Sequence, residues 1–195
     1  MKIISIINQK GGVGKTTTVI NLASALSQLG KKILVIDLDP QGNATTGLGL
    51  SNTSKSDQTI YGILNGTMSI SNVIKKTEFQ NLDLISSNVD LSGLEVETAG
   101  DSDRAFILKT KLTAYLNDSG GFYDYVLIDC PPSLSLLTVM ALVASNSLLV
   151  PLQTEFFALE GLTQLMKTIE RIKVNLNPEL KIQGILLTMY DRRNK

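Results

Sequence analysis

Two short apolar runs, Ile3–Ile7 and Lys32–Leu38, are rich in isoleucine and valine, and between them Thr17–Leu29 carries apolar residues at helical spacing. Strand, glycine-rich loop, helix and strand in that order make a βαβ unit, which implies parallel strands joined by a right-handed crossover. Further on, Tyr125–Asp129, Ser147–Val150 and Lys181–Met189 read as strands, and Ser133–Ala144 and Glu155–Val174 as helices. Apolar strands with so little alternation belong to a sheet covered by helices on both faces. The pattern therefore predicts a doubly wound α/β domain with a mostly parallel sheet over residues 1–195. Between Gly42 and Asp124 the signals are weaker: a polar loop at Ser51–Gln58, a strand at Asn81–Ser86 and a helix at Arg104–Leu116.

The stretch from Cys130 to Thr154 carries no formal charge, and its length alone would allow a membrane span. Pro131 and Pro132 open it, Ser145-Asn146-Ser147 interrupts it and Pro151 closes it, so a buried helix followed by a buried strand is the better reading. At 195 residues and 43% hydrophobic residues, the chain has enough apolar material for one core and is not of disordered composition. Acidic and basic residues balance at 18 each, so any nucleic acid or membrane contact must come from a local patch. The absence of histidine excludes Ser–His and Cys–His catalysis and histidine metal sites within this chain. The single cysteine, Cys130, cannot form an internal disulfide, which fits a reducing cytosol. The amino terminus is too short in apolar residues for a signal peptide.

The chemistry concentrates in Asn8-Gln9-Lys10-Gly11-Gly12-Val13-Gly14-Lys15-Thr16-Thr17, between the first strand and its helix. Gly11, Gly12 and Gly14 let successive backbone N–H groups turn towards phosphate oxygens, and the helix amino terminus faces the same anion. Lys15 is the candidate for the β- and γ-phosphates, the Thr16 hydroxyl for Mg2+ and Thr17 for the α-phosphate. The segment departs from G-x-x-x-x-G-K-[ST] in having Gln9 for the first glycine, and it adds a second lysine, Lys10. Phosphoryl transfer also needs carboxylates at the ends of neighbouring strands. Asp129 ends "YVLID" and is the candidate to hold magnesium through a water. Asp37 and Asp39, in "VIDLDPQGN", lie two apart and so point to the same side of their strand. One or both could face the γ-phosphate or its metal; for Asp37 a structural hydrogen-bonding role is an equal alternative.

Together, Lys10–Thr16, "DLDPQGN" and "LIDCPP" make the chain resemble the deviant-Walker-A ATPases of the MinD/ParA (SIMIBI) superfamily of P-loop proteins. "DLDPQGNAT" and "LLTMYDRR" resemble the ParA/Soj branch, which serves chromosome and plasmid partitioning. The resemblance implies that Lys10 is the signature lysine that reaches the nucleotide of a partner subunit, with Gly11 at the seam of an ATP-closed homodimer. It makes Lys10, Lys15 and Asp39 the catalytic candidates, Asp39 orienting the attacking water, with slow hydrolysis unless a ParB/Spo0J-type centromere-binding protein stimulates it. It also implies DNA binding without sequence preference, with Arg193 as a contact and Arg192 as a further candidate, and a cytoplasmic, nucleoid-associated protein with no membrane role. Thr188, Met189 and Tyr190 become candidate neighbours of the base. Arg192-Arg193-Asn194-Lys195 follows the last strand directly, so by this resemblance a further carboxy-terminal part is expected. A MinD-like membrane-cycling ATPase and a nucleotide-binding regulator with little turnover are the alternatives. A nitrogenase-iron-protein-like reductase would need paired cysteines, which a lone Cys130 does not supply.

Overall fold

A central parallel sheet sets the positions of all the candidate groups. The computed structural model describes residues 1–51, 55–118, 122–154 and 158–190. Along the chain run β1 (Lys2–Ile6), α1 (Lys15–Gln28), β2 (Ile33–Asp37), α2 (Asn43–Gly47), α3 (Ile60–Leu64), α4 (Ile70–Val73), β3 (Lys75–Lys76), β4 (Leu82–Ile85) and α5 (Leu94–Glu97). They are followed by α6 (Ile107–Asp118), β5 (Tyr125–Asp129), α7 (Leu136–Ala144), β6 (Ser147–Gln153), α8 (Ala158–Asn175) and β7 (Lys181–Thr188). The sheet order is β3-β4-β2-β5-β1-β6-β7. Every pairing is parallel except that of β3 with β4.

The central strands are buried on both faces, as their unbroken apolar sequences require. Leu34, Ile36, Val126 and Ile128 pack with Leu108, Leu112, Met140 and Ala141 of α6 and α7. On the opposite face Ile33, Val35, Leu82, Leu84 and Leu127 pack with Val19 and Ala23 of α1. A third cluster joins Ile7, Leu148 and Val150 to Leu165, Ile169 and Ile172 of α8. The chain leaves β1 towards β2 on one side and reaches β6 on the other, so the sheet changes winding direction at β1. The crevice at the carboxyl ends of strands around such a point is where open α/β sheets bind ligands.

The uncharged stretch from Cys130 is a buried helix and strand, α7 and β6. Among the described residues no helix is long and apolar enough to cross a membrane. Strand β6 extends through Pro151 to Gln153, further than the sequence pattern predicts. Pro151 is tolerated because β1 pairs with β6 only as far as Leu149. The Pro151 carbonyl faces the Asn8 side chain, so its missing N–H lies on an edge that β1 has already left. Helix α7 starts at Leu136, not Ser133, after the two prolines and a short turn in which Thr138 Oγ1 donates to the Ser133 carbonyl. The predicted helix at Arg104 opens as a 3-10 turn, Arg104–Phe106, and becomes α-helical at Ile107. The segment 51–58 closes in a 3-10 turn, Ser56–Gln58, and residues 155–157 at the expected start of α8 lie outside the described residues.

Candidate active site

The glycine loop runs from the end of β1 to α1, which begins at Lys15, two residues earlier than periodicity predicts. Lys15, Thr16 and Thr17 therefore all occupy the first helical turn. Gly12 (φ 75°) and Gly14 (φ 88°) adopt the left-handed conformation that residues with a Cβ avoid. Gly14 is the amino-terminal cap, no side chain caps the helix, and its first turn holds no acidic residue. The first N–H groups and the positive end of the helix dipole are thus offered to an external anion.

Two tertiary hydrogen bonds and one local one hold this loop. Asn8 Nδ2 donates to the Pro151 carbonyl (2.7 Å), Asn8 Oδ1 accepts from the Lys10 N–H (3.0 Å), and Thr188 Oγ1 donates to the Val13 carbonyl (2.8 Å). Lys15 is buried, with Nζ donating to the Lys10 carbonyl at 3.1 Å. Burial lowers its pKa, opposed by the charges of Asp129 and Asp39 nearby. Lys10 lies on the exposed side of the loop, beside exposed Gly11 and Gly12.

Opposite the loop, Asp37 and Asp129 are register partners on the adjacent strands β2 and β5. Equal register on parallel neighbours sends both carboxylates to one face, the face covered by α1. Thr16 Oγ1 donates to Asp129 Oδ2 at 2.7 Å, while Asp129 Oδ1 is buried and lacks a hydrogen-bond partner. Burial, reinforced by the charge of Asp37, pushes the Asp129 carboxyl up to about 7; the Thr16 bond works against that rise. Asp37 is fully buried and engaged inside the protein. Its Oδ2 accepts from the Thr45 N–H and Thr45 Oγ1, both at 2.7 Å, and its Oδ1 from the Asp39 N–H at 3.2 Å. Both Asp37 oxygens are thus engaged by Thr45 and Asp39, while Thr16 and Asp129 are paired at the loop. Burial raises the Asp37 carboxyl to about 6. Asp39 is also buried, in a turn where its Oδ1 accepts from the Gln41 N–H at 3.0 Å. Among the described residues, no three His, Cys, Asp or Glu side chains come together to hold a metal by themselves. A metal at Thr16 and Asp129 would need ligand oxygens of its own, such as those of a phosphate.

Beside the first turn of α1 lies a recess of about 620 Å³ lined by Gly14, Thr17, Thr18, Asn21, Leu22, Leu149, Leu186, Thr188 and Met189. Its apolar walls and its continuity with Gly14 suit a flat ring attached to a phosphate chain.

A family model described as "AAA domain" matches residues 1–182. The chromosome partitioning protein ParA of Caulobacter vibrioides is 53% identical over 194 residues, covering 100% of this chain and 72% of the relative. The chromosome-partitioning ATPase Soj of Treponema pallidum is 48% identical, again over 100% of this chain and 74% of the relative. The chain belongs to the ParA/Soj family of ATPases. Among solved structures, a protein described as cobyrinic acid a,c-diamide synthase from Mycobacterium smegmatis, with bound ATP analogue and magnesium, superposes with TM-score 0.91. It is 38% identical, and the match covers 99% of this chain and 77% of that one.

For a ParA/Soj protein, the fold brings Lys15, Thr16, Asp37, Asp39 and Asp129 into one crevice, with Lys10 and Gly11 on its outer rim. Arg192 and Arg193 lie outside the described residues. Thr188 and Met189 line the recess, but Tyr190 is not among its lining residues. Sequence reasoning missed Asn8, Thr45 and the recess wall of Asn21, Leu22, Leu149 and Leu186. Of these, only Asn21 carried a local signal, lying one helical turn after the predicted Thr17 on α1.

Proposed function

We propose that this protein is a partitioning ATPase of the ParA/Soj kind, in which ATP closes two copies into a dimer that binds DNA and hydrolysis releases it. One observation carries the ATPase reading: Thr16 in the uncapped first turn of α1 is bonded to Asp129, whose second oxygen is buried without a partner. Such an orphaned acceptor suits a hydrated cation beside a triphosphate, so the residues present fit the group. Magnesium, when bound, would neutralise charge on the phosphate oxygens. Thr16 would ligate it directly, and Asp129 would hold one of its waters.

In this reading the loop N–H groups from Gly11 to Thr17 cradle the phosphates, Lys15 offers its ammonium to the β- and γ-phosphates, and the recess beside Gly14 takes the nucleoside. Asp39 orients the water that attacks the γ-phosphate, giving ADP and phosphate. Lys10, on the exposed rim, crosses to the nucleotide of the second copy, and Gly11 lets the two rims approach. ATP binding is thereby coupled to association. Turnover is slow without a ParB-type partner, since the loop motifs supply no arginine to the transition state. DNA is held through phosphate contacts by lysine and arginine, with Arg193 as a candidate, on the nucleoid in the cytoplasm.

The test is a DNA-binding titration of the protein with no nucleotide, ADP and ATP at two salt concentrations, beside a liposome control. Binding that requires ATP and weakens with salt supports the reading. Liposome binding without DNA binding would select the MinD-like alternative.

A further inference from the structure

Thr45 is fully buried in the short helix α2, and neither phosphate chemistry nor core packing asks for a hydroxyl there. Its own N–H and its Oγ1 both donate to Asp37 Oδ2 at 2.7 Å. The same Oγ1 accepts from the Ser87 N–H at 3.0 Å, so both its hydrogen-bonding directions are used and its rotamer is held. Asp37 Oδ1 in turn accepts from the Asp39 N–H. A continuous path therefore runs from the end of β4, through Thr45 and Asp37, to the backbone of Asp39. Beyond Asp39 the chain turns at once: the Gly42 N–H returns to the Asp39 carbonyl at 2.9 Å, Gly42 sits at φ 64°, and α2 begins. The Asp39 loop is thus closed at both ends onto Asp37, directly by the Asp39 N–H and by way of Thr45 in α2.

We propose that Thr45 is a positioning residue for hydrolysis, acting through Asp37 to hold the backbone that aims the Asp39 carboxylate. The inference rests on the reading that Asp39 orients the attacking water. Its physical basis is that a carboxylate must be held within about half an ångström of its productive position, and a buried side chain bonded in both directions supplies that restraint. Thr45 lies one contact removed from the Thr16–Asp129 pair, so its loss should reach turnover without reaching nucleotide affinity.

The test compares Thr45→Val, which keeps shape but not the hydroxyl, with Thr45→Ser, which keeps the hydroxyl, each alone and in an Asp39→Ala background. Phosphate release at saturating ATP and magnesium and the Kd of a non-hydrolysable ATP analogue are measured. The expected result is a fall in turnover of roughly tenfold or more for Thr45→Val, with Kd within about twofold, and substantial recovery in Thr45→Ser. In the Asp39→Ala background the same Thr45→Val change should cost less than about twofold, because the two residues act as one unit. A folded Thr45→Val protein with wild-type turnover overturns the inference, as does an equal loss in both backgrounds or a Thr45→Ser no better than Thr45→Val. If Thr45→Val melts below the assay temperature, Thr45→Cys replaces it, with the same ordering expected. Wild-type turnover in Asp39→Ala alone would instead overturn the role of Asp39 on which the inference rests.

Discussion

Thr16 Oγ1 donates a 2.7 Å hydrogen bond to Asp129 Oδ2 across 113 positions of sequence, joining the first turn of α1 to the end of β5. The bond occupies one carboxylate oxygen and leaves the other buried with no partner. An ionised carboxylate in that state is costly, which is why burial raises its pKa to about 7.

The consequence for pH follows from the sign of that shift. Folded pKa values of about 7 for Asp129 and about 6 for Asp37 stand above their common reference value of 3.8. Stability from these groups is fully present below about pH 4 and is lost as pH rises through 6 and 7. Magnesium with nucleotide should relieve the charge of Asp129, so the ligand-induced rise in Tm should be larger at pH 8 than at pH 6. Thermal melts at both pH values check this, and Asp129→Asn should remove most of the difference that does not come from the nucleotide's own titration.

Lys15 is buried, and burial lowers its pKa, so its charge opposes folding while serving phosphate binding. Lys15→Met, which keeps the apolar stem, is expected to weaken ATP binding by about 3 kcal/mol, roughly a hundredfold. Without nucleotide its Tm should equal or exceed that of the wild type. Calorimetric titration together with melting curves separates the two effects.

Gly11 and Gly14 should fail differently when enlarged. A Cβ added at Gly11 meets no atom within 4 Å, so Gly11→Val should fold within about 0.5 kcal/mol of wild type and bind nucleotide as a monomer. If Gly11 lies at a dimer seam, sedimentation should show that this variant no longer dimerises with ATP. At Gly14 the added Cβ lies 3.6 Å from Thr188 Cγ2, an ordinary contact, yet φ is 88°. Gly14→Ala should therefore lose about 1–2 kcal/mol through backbone strain alone.

At the opposite end of the sheet, buried Asn177 ties α7 to the α8–β7 turn. Its Nδ2 lies 2.8 Å from the carbonyls of Leu142 and Ser145 and 3.3 Å from that of Val143, where α7 ends and has orphan acceptors. Asn177→Leu should cost about 2–3 kcal/mol, seen as a lower denaturation midpoint, with nucleotide affinity of the folded protein unchanged.

Much of this site was legible because its chemistry is local. The glycines, Lys15 and Thr16 fall within one strand–loop–helix unit, and Asp37 and Asp39 come at the end of one apolar run, although β2 stops at Asp37 and Asp39 lies in the turn beyond it. Strand β5 matches its predicted bounds, Tyr125–Asp129, since a continuous apolar run ending in an acid has few other readings. The middle of the chain was poorly legible because α2 to α5 are each only four or five residues long. Helices so short carry too few turns to show a period, and they are held by tertiary contacts instead.

By itself, the sequence determined which residues could carry phosphate chemistry and that they would sit at the ends of parallel strands, because both follow from spacing along a few turns of chain. Only the tertiary structure decided how they are used. It gave Asp37 to Thr45 and left one oxygen of Asp129 open, and it tied Val13 to Thr188, 175 positions away. It also built the recess from α1 and β7. These outcomes depend on which buried donor meets which acceptor once the strands are ordered, and no local period encodes that.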